Sequence, residues 1–182
     1  MQDQVYGGIE DEYDLVSRAV RETAGEILAY EGRPIEAYYH STCAGHTAAI
    51  EEVWNADPVP YLRAVRDVDR RTGQAYDHFS SRFTWTQRWP IDEMQSILSR
   101  TLADSVRPGM DGVGSLRDIR ILARTESGRI ARMRITTTSG DFHVGGDRVR
   151  WIFLTPTGTI LNSSRFDVEI VRNDAGDPVE VV

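Results

Sequence analysis

The apolar residues at the start of the chain recur at helical intervals and then change to short extended runs. The helical set is Ile9, Tyr13, Val16, Val20 and Ala24. Acidic residues gather at its N-terminal end, where the helix dipole favours them, so the pattern predicts a helix over about 9–24 that Gly25 ends. Extended runs at 26–30 and 35–41, joined by a Glu-Gly-Arg-Pro turn, predict a β-hairpin.

The middle of the chain combines helical patterns with short extended runs. The segment 47–54 favours a short helix with Thr47 as its N-cap. After a proline, apolar residues return at helical spacing and predict the second main helix over about 91–103. The runs 61–68 and 83–86 alternate as strands do, and a polar, turn-rich connection separates them.

The C-terminal third carries mainly strand signals. β-Branched residues are frequent there, and glycine-containing turns separate the runs. The predicted strands cover 116–123, 129–137, 141–144, 151–154, 160–163 and 166–171. The whole pattern predicts an α+β fold, with antiparallel β-sheets and two main α-helices, organised as a single domain over 1–182.

Composition narrows the classes of partner. The chain has 182 residues and a formal net charge of -7, and an acidic surface argues against nucleic acid, because phosphate binding needs a positive footprint. No apolar run approaches the length of a membrane span, and the first residues lack the pattern of a signal peptide. The single cysteine excludes an internal disulfide. We therefore expect no nucleic-acid partner and no membrane span in this chain.

Residues that can donate, accept or ligate are densest in the stretch 37–54, AYYHSTCAGHTAAIEEVW. A predicted strand leads there through a glycine turn into a short helix, and such strand ends commonly carry sites. The leading candidates for a site are His40, Ser41, Thr42, Cys43 and His46. We expect the side chains of residues 40–42 to lie at the rim of a groove rather than in the core.

His40, Cys43 and His46 are residue types that bind zinc, which takes four ligands in structural sites. A regular strand would point positions 40 and 43 to opposite faces, and no fourth ligand stands nearby in the sequence. We therefore expect no metal and no other cofactor. Cys43 could also be a nucleophile, but no third orienting residue accompanies it, and a small buried cysteine is the alternative.

Several short motifs occur in a fixed order along the chain. They are QVY at 4–6, AYYHSTCAG at 37–45, EEVW at 51–54, PYLRAV at 60–65, FTW at 83–85 and SGRI at 127–130. This order resembles the stage II sporulation protein D family, which also includes proteins called amidase enhancers. The His-Ser-Thr stretch with the downstream Pro-Tyr-Leu is the specific part, and the chain is similar to the central part of the family's domain.

The resemblance implies a protein of the cell envelope or the extracellular space that acts on peptidoglycan. Members of the family are lytic transglycosylases, which cleave between N-acetylmuramic acid and N-acetylglucosamine in strands stripped of stem peptides and leave a 1,6-anhydro end. A partner cell-wall amidase removes the peptides. The residues that the resemblance places along the glycan are Tyr39, His40, Ser41, Thr42, Cys43, Gly45 and Tyr61.

Aromatic side chains could provide flat surfaces for sugar rings. The available ones near these motifs are Tyr38, Tyr39, Trp54, Tyr61 and Trp85. Aromatic residues at strand positions more often belong to the core, and we prefer that interpretation for most of them. Tyr61 is the exception, because the family motif places it after the site loop.

Two departures from the family pattern concern catalysis. The family's catalytic glutamate precedes the QVY motif and a Gly-His-Gly motif follows the central part; neither has a counterpart here, so we expect a truncated form. Cleavage needs a carboxylic acid to protonate the leaving oxygen, which leaves Glu52 and Glu51 as candidates. A solvated helix face, or an ion pair with Arg63 or Arg66, explains both as well. The alternative function is a non-catalytic glycan-binding module or an enhancer of a partner cell-wall amidase.

Overall fold

The computed structural model describes residues 8–54, 56–105 and 112–182. The chain divides into two compact units, Met1–Tyr39 and His40–Val182. The single domain over 1–182 stays a prediction. The motif at 4–6 lies outside the described residues.

The first unit is built from short elements. They are a 3-10 helix at Ile9–Asp11, helix α1 at Asp14–Glu22, strand β1 at Ala29–Tyr30 and strand β2 at Arg33–Pro34. The prediction of a continuous helix over 9–24 is wrong in its bounds, because Tyr13 is extended and separates the 3-10 helix from α1. The hairpin is present but shorter than predicted. Its loop residues Glu31 and Gly32 both have positive φ, 49° and 76°, as a two-residue hairpin turn requires.

The second unit contains the longer elements. They are α2 at Ile50–Val53, β3 at Trp89–Pro90, α3 at Ile91–Ser105, β4 at Leu116–Arg124, β5 at Ile130–Thr137, β6 at Gly140–Val144, α4 at Val149–Ile152, β7 at Ile170–Arg172 and β8 at Pro178–Val181. Strands β4, β5 and β6 form one antiparallel sheet in that order, and β3, β8 and β7 form another. Four α-helices and three small antiparallel sheets in the described ranges confirm the predicted α+β class. None of these helices combines the length and the apolarity that a membrane crossing requires.

One hydrophobic cluster joins α3, the sheet β4–β5–β6 and α4. Met94, Leu98 and Leu102 follow helical spacing on α3, and all three are fully buried. On β5 the inward positions alternate, so that Met133 and Ile135 face the same cluster. Burying a large apolar side chain contributes roughly 1.5–3 kcal/mol, which explains why the second main helix is confirmed where its apolar face predicted it.

Two strands predicted before α3 are wrong. Residues 61–68 make only isolated bridges, and residues 83–86 are irregular. The helix predicted over 47–54 is reduced to the four residues of α2, because Thr47 does not cap it. The hydroxyl of Thr47 instead accepts a hydrogen bond from the backbone N–H of Val65, at 2.9 Å.

The predictions after β6 also need correction. The segment 151–154 is not a strand, because α4 occupies its first half; the helix buries Val149 and Ile152, which lie three residues apart on one face. Residues 160–163 are irregular. The last predicted strand, 166–171, begins later as β7, and β8, which the sequence did not indicate, pairs with both β7 and β3.

Candidate functional site

The stretch with the densest polar groups folds into a tight turn at 43–45. Ala44 and Gly45 both have positive φ, 55° and 79°, which reverses the chain. Asp77 holds this turn, because its Oδ2 atom accepts hydrogen bonds from the backbone N–H groups of Cys43 at 2.5 Å and of Ala44 at 2.9 Å. Burial acts to raise the pKa of Asp77, but these hydrogen bonds outweigh it, and the pKa is lowered.

The Cys43 side chain lies inside this turn, with 3% of its surface exposed. Its Sγ atom is 3.4 Å from Oδ2 of Asp67 and donates to that carboxylate. Burial raises the pKa of the thiol to about 11; a hydrogen bond from Gly45 opposes the rise, and the carboxylates of Asp67 and Asp77 add to it. Near neutral pH the group is therefore a protonated thiol, as expected of a buried structural cysteine rather than a nucleophile.

Ser41 and Thr42 lie at the edge of a small cavity of about 80 Å³. Ser41 is exposed, and Thr42 is half-buried with its hydroxyl 2.6 Å from that of Ser80. The other residues lining this cavity are Cys43, Ala44, Arg82, Phe83, Trp85, Asn162, Ser163 and Arg165. Three of the predicted glycan contacts, Ser41, Thr42 and Cys43, therefore share a cavity with residues from two distant loops.

Two larger cavities adjoin this one, and Trp85 lines all three. One, of about 600 Å³, runs along residues 83–87 and 165–169. The other, of about 430 Å³, is bordered by Gln87 and residues 155–162. We call the three cavities together the Trp85 groove. It is an open groove with an aromatic side chain at the junction of its three parts.

Backbone and side-chain hydrogen bonds fix the loops that form the groove. The indole N–H of Trp89 donates to the carbonyl of Leu154 at 2.8 Å, which joins β3 to the loop after α4. The carbonyl of Ser164 accepts from the N–H of Ile130 at 2.9 Å, which ties the next loop to β5. The ring centroids of Trp85 and Phe166 are 6.0 Å apart. The groove is therefore attached to the packed core at several points.

The remaining predicted contacts do not line the Trp85 groove. His40 is exposed, and Tyr39, also exposed, belongs to the first unit. Tyr61 is exposed on the loop that follows α2 and lines none of the three cavities. Gly45 has a packing role, since a Cβ atom there would lie 3.1 Å from the Cβ atom of Ala75.

Glu52 is held by the turn between β4 and β5. Its Oε2 atom accepts hydrogen bonds from the hydroxyl of Thr125, at 3.0 Å, and from that of the buried Ser127. The Arg129 guanidinium is close to this carboxylate: burial lowers the pKa of Arg129, and the charge of Glu52 acts in the opposite direction. Glu52 lines no part of the Trp85 groove and joins α2 to the sheet.

Glu51 forms a two-point ion pair with Arg63. The two guanidinium nitrogens donate to its two carboxylate oxygens at 3.0 and 2.5 Å. The hydrogen bonds from Arg63 lower the pKa of Glu51. This contact is the ion pair that the sequence offered as the alternative to a catalytic role.

The possible zinc ligands do not converge. The ring nitrogen Nδ1 of His46 lies 2.9 Å from the carbonyl oxygen of Thr47, and the backbone of His46 bridges to Arg66. Within the described ranges, no three His, Cys, Asp or Glu side chains come together as a possible metal site. The expectation of no metal stays a prediction.

Sequence reasoning did not include the residues that complete the groove. Asn162 and Ser163 lie in a segment that was predicted as strand and is in fact irregular, and Arg165 lies just after it. Arg165 donates to the carbonyl of Ala44 at 3.0 Å, across more than a hundred residues of sequence. The contact of this segment with the turn at 43–45 depends on tertiary packing, which a local sequence pattern does not indicate.

The family model described as a domain of unknown function (DUF8618) matches residues 69–178. Among curated proteins, the stage II sporulation protein D of Bacillus amyloliquefaciens is 34% identical over 64% of this chain and 28% of its own length. The stage II sporulation protein D of Bacillus subtilis (strain 168) is 29% identical over 73% of this chain and 38% of its own length. The amidase enhancer of the same organism is 44% identical over 35% of this chain and 9% of its own length.

These three relatives are all considerably longer than the matched region. The chain spans 38% or less of each of them. They confirm the resemblance to the stage II sporulation protein D family that the motifs indicated. Since the family model matches more than half of its residues, the chain belongs to the DUF8618 family of domains of unknown function.

Proposed function

We propose that this chain binds peptidoglycan glycan strands in the Trp85 groove, as part of a protein that acts on the cell wall. Two relatives are named stage II sporulation protein D and one is named amidase enhancer, which supports this class of function. The protein then belongs in the cell envelope or the extracellular space. Within that protein, residues 1–182 form a single domain that is similar to the central part of the stage II sporulation protein D domain.

The observation that carries the proposal is the position of Trp85 at the junction of three adjoining cavities. Sugar rings present C–H groups on their faces and hydroxyls at their edges, so they suit an aromatic face bordered by polar groups. Trp85 and Phe166 give the groove such a face. The two larger cavities that Trp85 lines have volumes of about 600 and 430 Å³.

Hydroxyl groups border the groove on one side of Trp85. The Thr155 hydroxyl lies 2.9 Å from that of Thr157 and 2.7 Å from that of Thr159, so the three form a small network. Each hydroxyl can donate and accept, which suits the hydroxyl and acetamido groups of a sugar. Ser41 and Thr42 provide the same chemistry in the small cavity on another side. Their place there supports the prediction that residues of this stretch contact the glycan.

The geometry favours binding over cleavage by the described residues. Glu52 is engaged by two hydroxyl donors, and Glu51 is engaged by Arg63. Neither carboxylate reaches the groove, so neither is placed to protonate a glycosidic oxygen there. We propose that lytic transglycosylase activity, and any action beside a cell-wall amidase, belong to the complete protein, of which this chain provides a glycan-binding part.

The proposal is tested by measuring the binding of peptide-free glycan strands through tryptophan fluorescence and calorimetry. We expect Trp85→Ala to weaken binding about tenfold, since aromatic stacking contributes on the order of 1 kcal/mol. Trp151→Ala is the control, because Trp151 is exposed and lines none of the three cavities, whereas Trp85 is half-buried and lines all of them. Trp85→Phe keeps an aromatic face and should retain most of the affinity. Equal affinities for Trp85→Ala and Trp151→Ala, or no binding by the unmodified chain, would refute the proposal.

A further inference from the structure

Gln87 is the polar member of an otherwise aromatic series that faces the protein. Along residues 83–89 exposed positions alternate with half-buried or buried ones, and the inward positions are Phe83, Trp85, Gln87 and Trp89. Trp89 belongs to the hydrophobic cluster, and Trp85 packs against it. An amide at such a position is partly removed from water, so it needs a hydrogen-bond partner from the protein or from a ligand.

The protein leaves the Gln87 amide without a partner. Within the described ranges its side chain forms no hydrogen bond, and the same holds for the Asn162 amide, which lines the same cavity from the loop after α4. Each amide group carries two N–H donors and a carbonyl acceptor. Because a half-buried polar group without a partner is unfavourable, a ligand that pairs with Gln87 gains more free energy than one that pairs with a fully solvated group.

The cavity that Gln87 and Asn162 share, of about 430 Å³, is neutral. The described residues around it are threonines, the two amides and apolar side chains, and none of them is charged. The other two parts of the groove differ, because Arg165 lines both of them and Asp167 and Glu169 line the larger one. A cation that entered the neutral cavity would lose water without meeting a carboxylate, so the cavity favours an uncharged group.

Apolar side chains accompany the Gln87 amide. Trp85, Gln87 and Leu161 each line both this cavity and the largest one, so the amide lies where the two cavities adjoin. A substituent of a sugar ring that packs on Trp85 can therefore enter the neutral cavity. An acetamido group presents an N–H donor, a carbonyl acceptor and a methyl group. Its two polar groups match the acceptor and the donors of a glutamine amide, and its methyl group suits an apolar neighbour such as Leu161.

We propose that Gln87, assisted by Asn162, binds the acetamido group of an N-acetylated sugar and is the residue through which the Trp85 groove rejects sugars that carry a free amine. This inference rests on the proposed function. Hydrolysis of the acetamido group releases acetate and leaves an amine that can take up a proton. The sugar then lacks the carbonyl acceptor and brings a positive charge into a cavity without a carboxylate. A reaction that removes acetyl groups from the wall glycan would thereby weaken its binding to this chain.

The test compares three ligands with four forms of the full chain. The ligands are peptide-free glycan strands, the same strands after N-deacetylation, and deacetylated strands that have been N-acetylated again. The proteins are the unmodified chain, Gln87→Met, Gln87→Glu and the matched control Gln74→Glu. Gln74 is exposed and lines none of the three cavities, so Gln74→Glu adds the same charge outside the groove. Calorimetry at two salt concentrations accounts for the general attraction of a chain with net charge -7 for cationic strands.

The variants should change the preference for acetylated strands in different directions. We expect the unmodified chain to bind acetylated and re-acetylated strands about tenfold more tightly than deacetylated strands, because hydrogen bonds to Gln87 are lost. Gln87→Met removes the polar atoms at a similar length, so it should weaken the binding of acetylated strands about tenfold. Gln87→Glu places a carboxylate beside the ammonium group and should reverse the preference, whereas Gln74→Glu should retain that of the unmodified chain.

The outcomes separate the inference from the proposed function. If the unmodified chain binds acetylated and deacetylated strands equally, or if Gln87→Glu and Gln74→Glu have the same preference, Gln87 does not recognise the acetamido group, although glycan binding stands. If the unmodified chain binds none of the three ligands, glycan binding itself fails. Thermal unfolding shows whether Gln87→Glu folds. If it does not, Gln87→Met decides, because binding of acetylated strands by that variant with the affinity of the unmodified chain would overturn the inference.

Discussion

The carboxylate of Asp77 accepts a hydrogen bond from the backbone N–H of Cys43, 34 residues away, at a distance of 2.5 Å. A second bond from Ala44 to the same oxygen makes Asp77 the anchor of the turn at 43–45. We predict that Asp77→Ala lowers the free energy of unfolding by about 1–3 kcal/mol, because two N–H groups lose their acceptor. Asp77→Asn should lower the free energy of unfolding by less, since the amide carbonyl oxygen can still accept hydrogen bonds from the two N–H groups. Urea unfolding at neutral pH measures both.

The same contact predicts a pH dependence. The pKa of Asp77 is lowered in the folded chain relative to about 3.9 in an unfolded one. The contribution of the Asp77 carboxylate to the free energy of unfolding is therefore complete above about pH 4. It is lost as the pH falls through the pKa of Asp77 in the folded chain. The stability difference between the unmodified chain and Asp77→Asn should narrow below about pH 4 and stay constant above about pH 5. A difference that keeps the same size down to pH 2 would contradict this assignment.

Gly45 and Gly73 allow two glycine effects to be separated. Both have positive φ, 79° and 74°, so alanine is strained at either position by roughly 1–2 kcal/mol. Only at Gly45 would the new Cβ atom crowd neighbours, at 3.1 Å from Ala75 and 3.3 Å from Val68. We predict that Gly45→Ala destabilises the chain more than Gly73→Ala, by about 1 kcal/mol or more. Equal losses in urea unfolding would show that the turn shifts freely to make room.

The raised pKa of Cys43 predicts slow thiol chemistry. Burial raises it to about 11, two units above its usual value of 9.0. The thiolate fraction at pH 7.5 should therefore fall about 100-fold, and burial should slow labelling further. We expect a disulfide-exchange reagent to label the folded chain at least 100-fold more slowly than the chain in urea. Labelling of the folded chain at the rate of the unfolded one would instead indicate a reactive cysteine.

Glu52 and Glu51 are adjacent in sequence but differ in their contacts. Glu52 accepts from Thr125 and from the buried Ser127, whereas Glu51 pairs with an exposed arginine. We predict that Glu52→Gln lowers the free energy of unfolding by about 1–2 kcal/mol, because two hydroxyls lose a charged acceptor. Glu51→Gln is the matched control and should have a smaller effect, as exposed ion pairs usually do. A larger loss for Glu51→Gln would contradict the anchoring role of Glu52.

The parts of the fold that the sequence predicted are those with a long, regular apolar pattern. Helix α3 buries Met94, Leu98 and Leu102 at helical spacing, and β4 and β5 carry enough apolar and β-branched residues to indicate strands. The failures are short segments, where few residues carry the pattern. The run at 151–154 is apolar enough for a strand or a helix. A helix buries Val149 and Ile152 on one face, and this burial favours α4.

The sequence predicted only one of the segments that form the candidate site. Ser41 and Thr42 stand in a stretch whose polar density marked it, and both border the groove. Trp85 reaches the same cavity from a loop that the sequence assigned to a strand, and Arg165 reaches it from between two predicted strands. The contacts between these loops depend on the pairing of β7 with β8 and on the hydrogen bond from Trp89 to the loop after α4. A local sequence pattern predicts neither of these interactions.

The last prediction concerns cleavage: this chain should bind peptide-free glycan without producing 1,6-anhydro ends. The acidic residues that line the largest of the three cavities are Asp167 and Glu169, and both are exposed. The Asp167 side chain is 99% exposed and pairs with Arg124 at 2.6 Å, whereas a general acid is a carboxyl group sheltered from water beside the leaving oxygen.

Loss of a general acid typically lowers the rate about 10²–10⁴-fold, so no product should be detectable. Mass spectrometry of glycan incubated with the chain tests this directly, with Glu52→Gln and Glu169→Gln analysed in parallel. Products that disappear in Glu169→Gln would place the acid in the groove, and products that disappear in Glu52→Gln would place it at the turn between β4 and β5. Either result would make this chain an enzyme in its own right, because the acid would lie among the residues described here as structural or solvent-exposed.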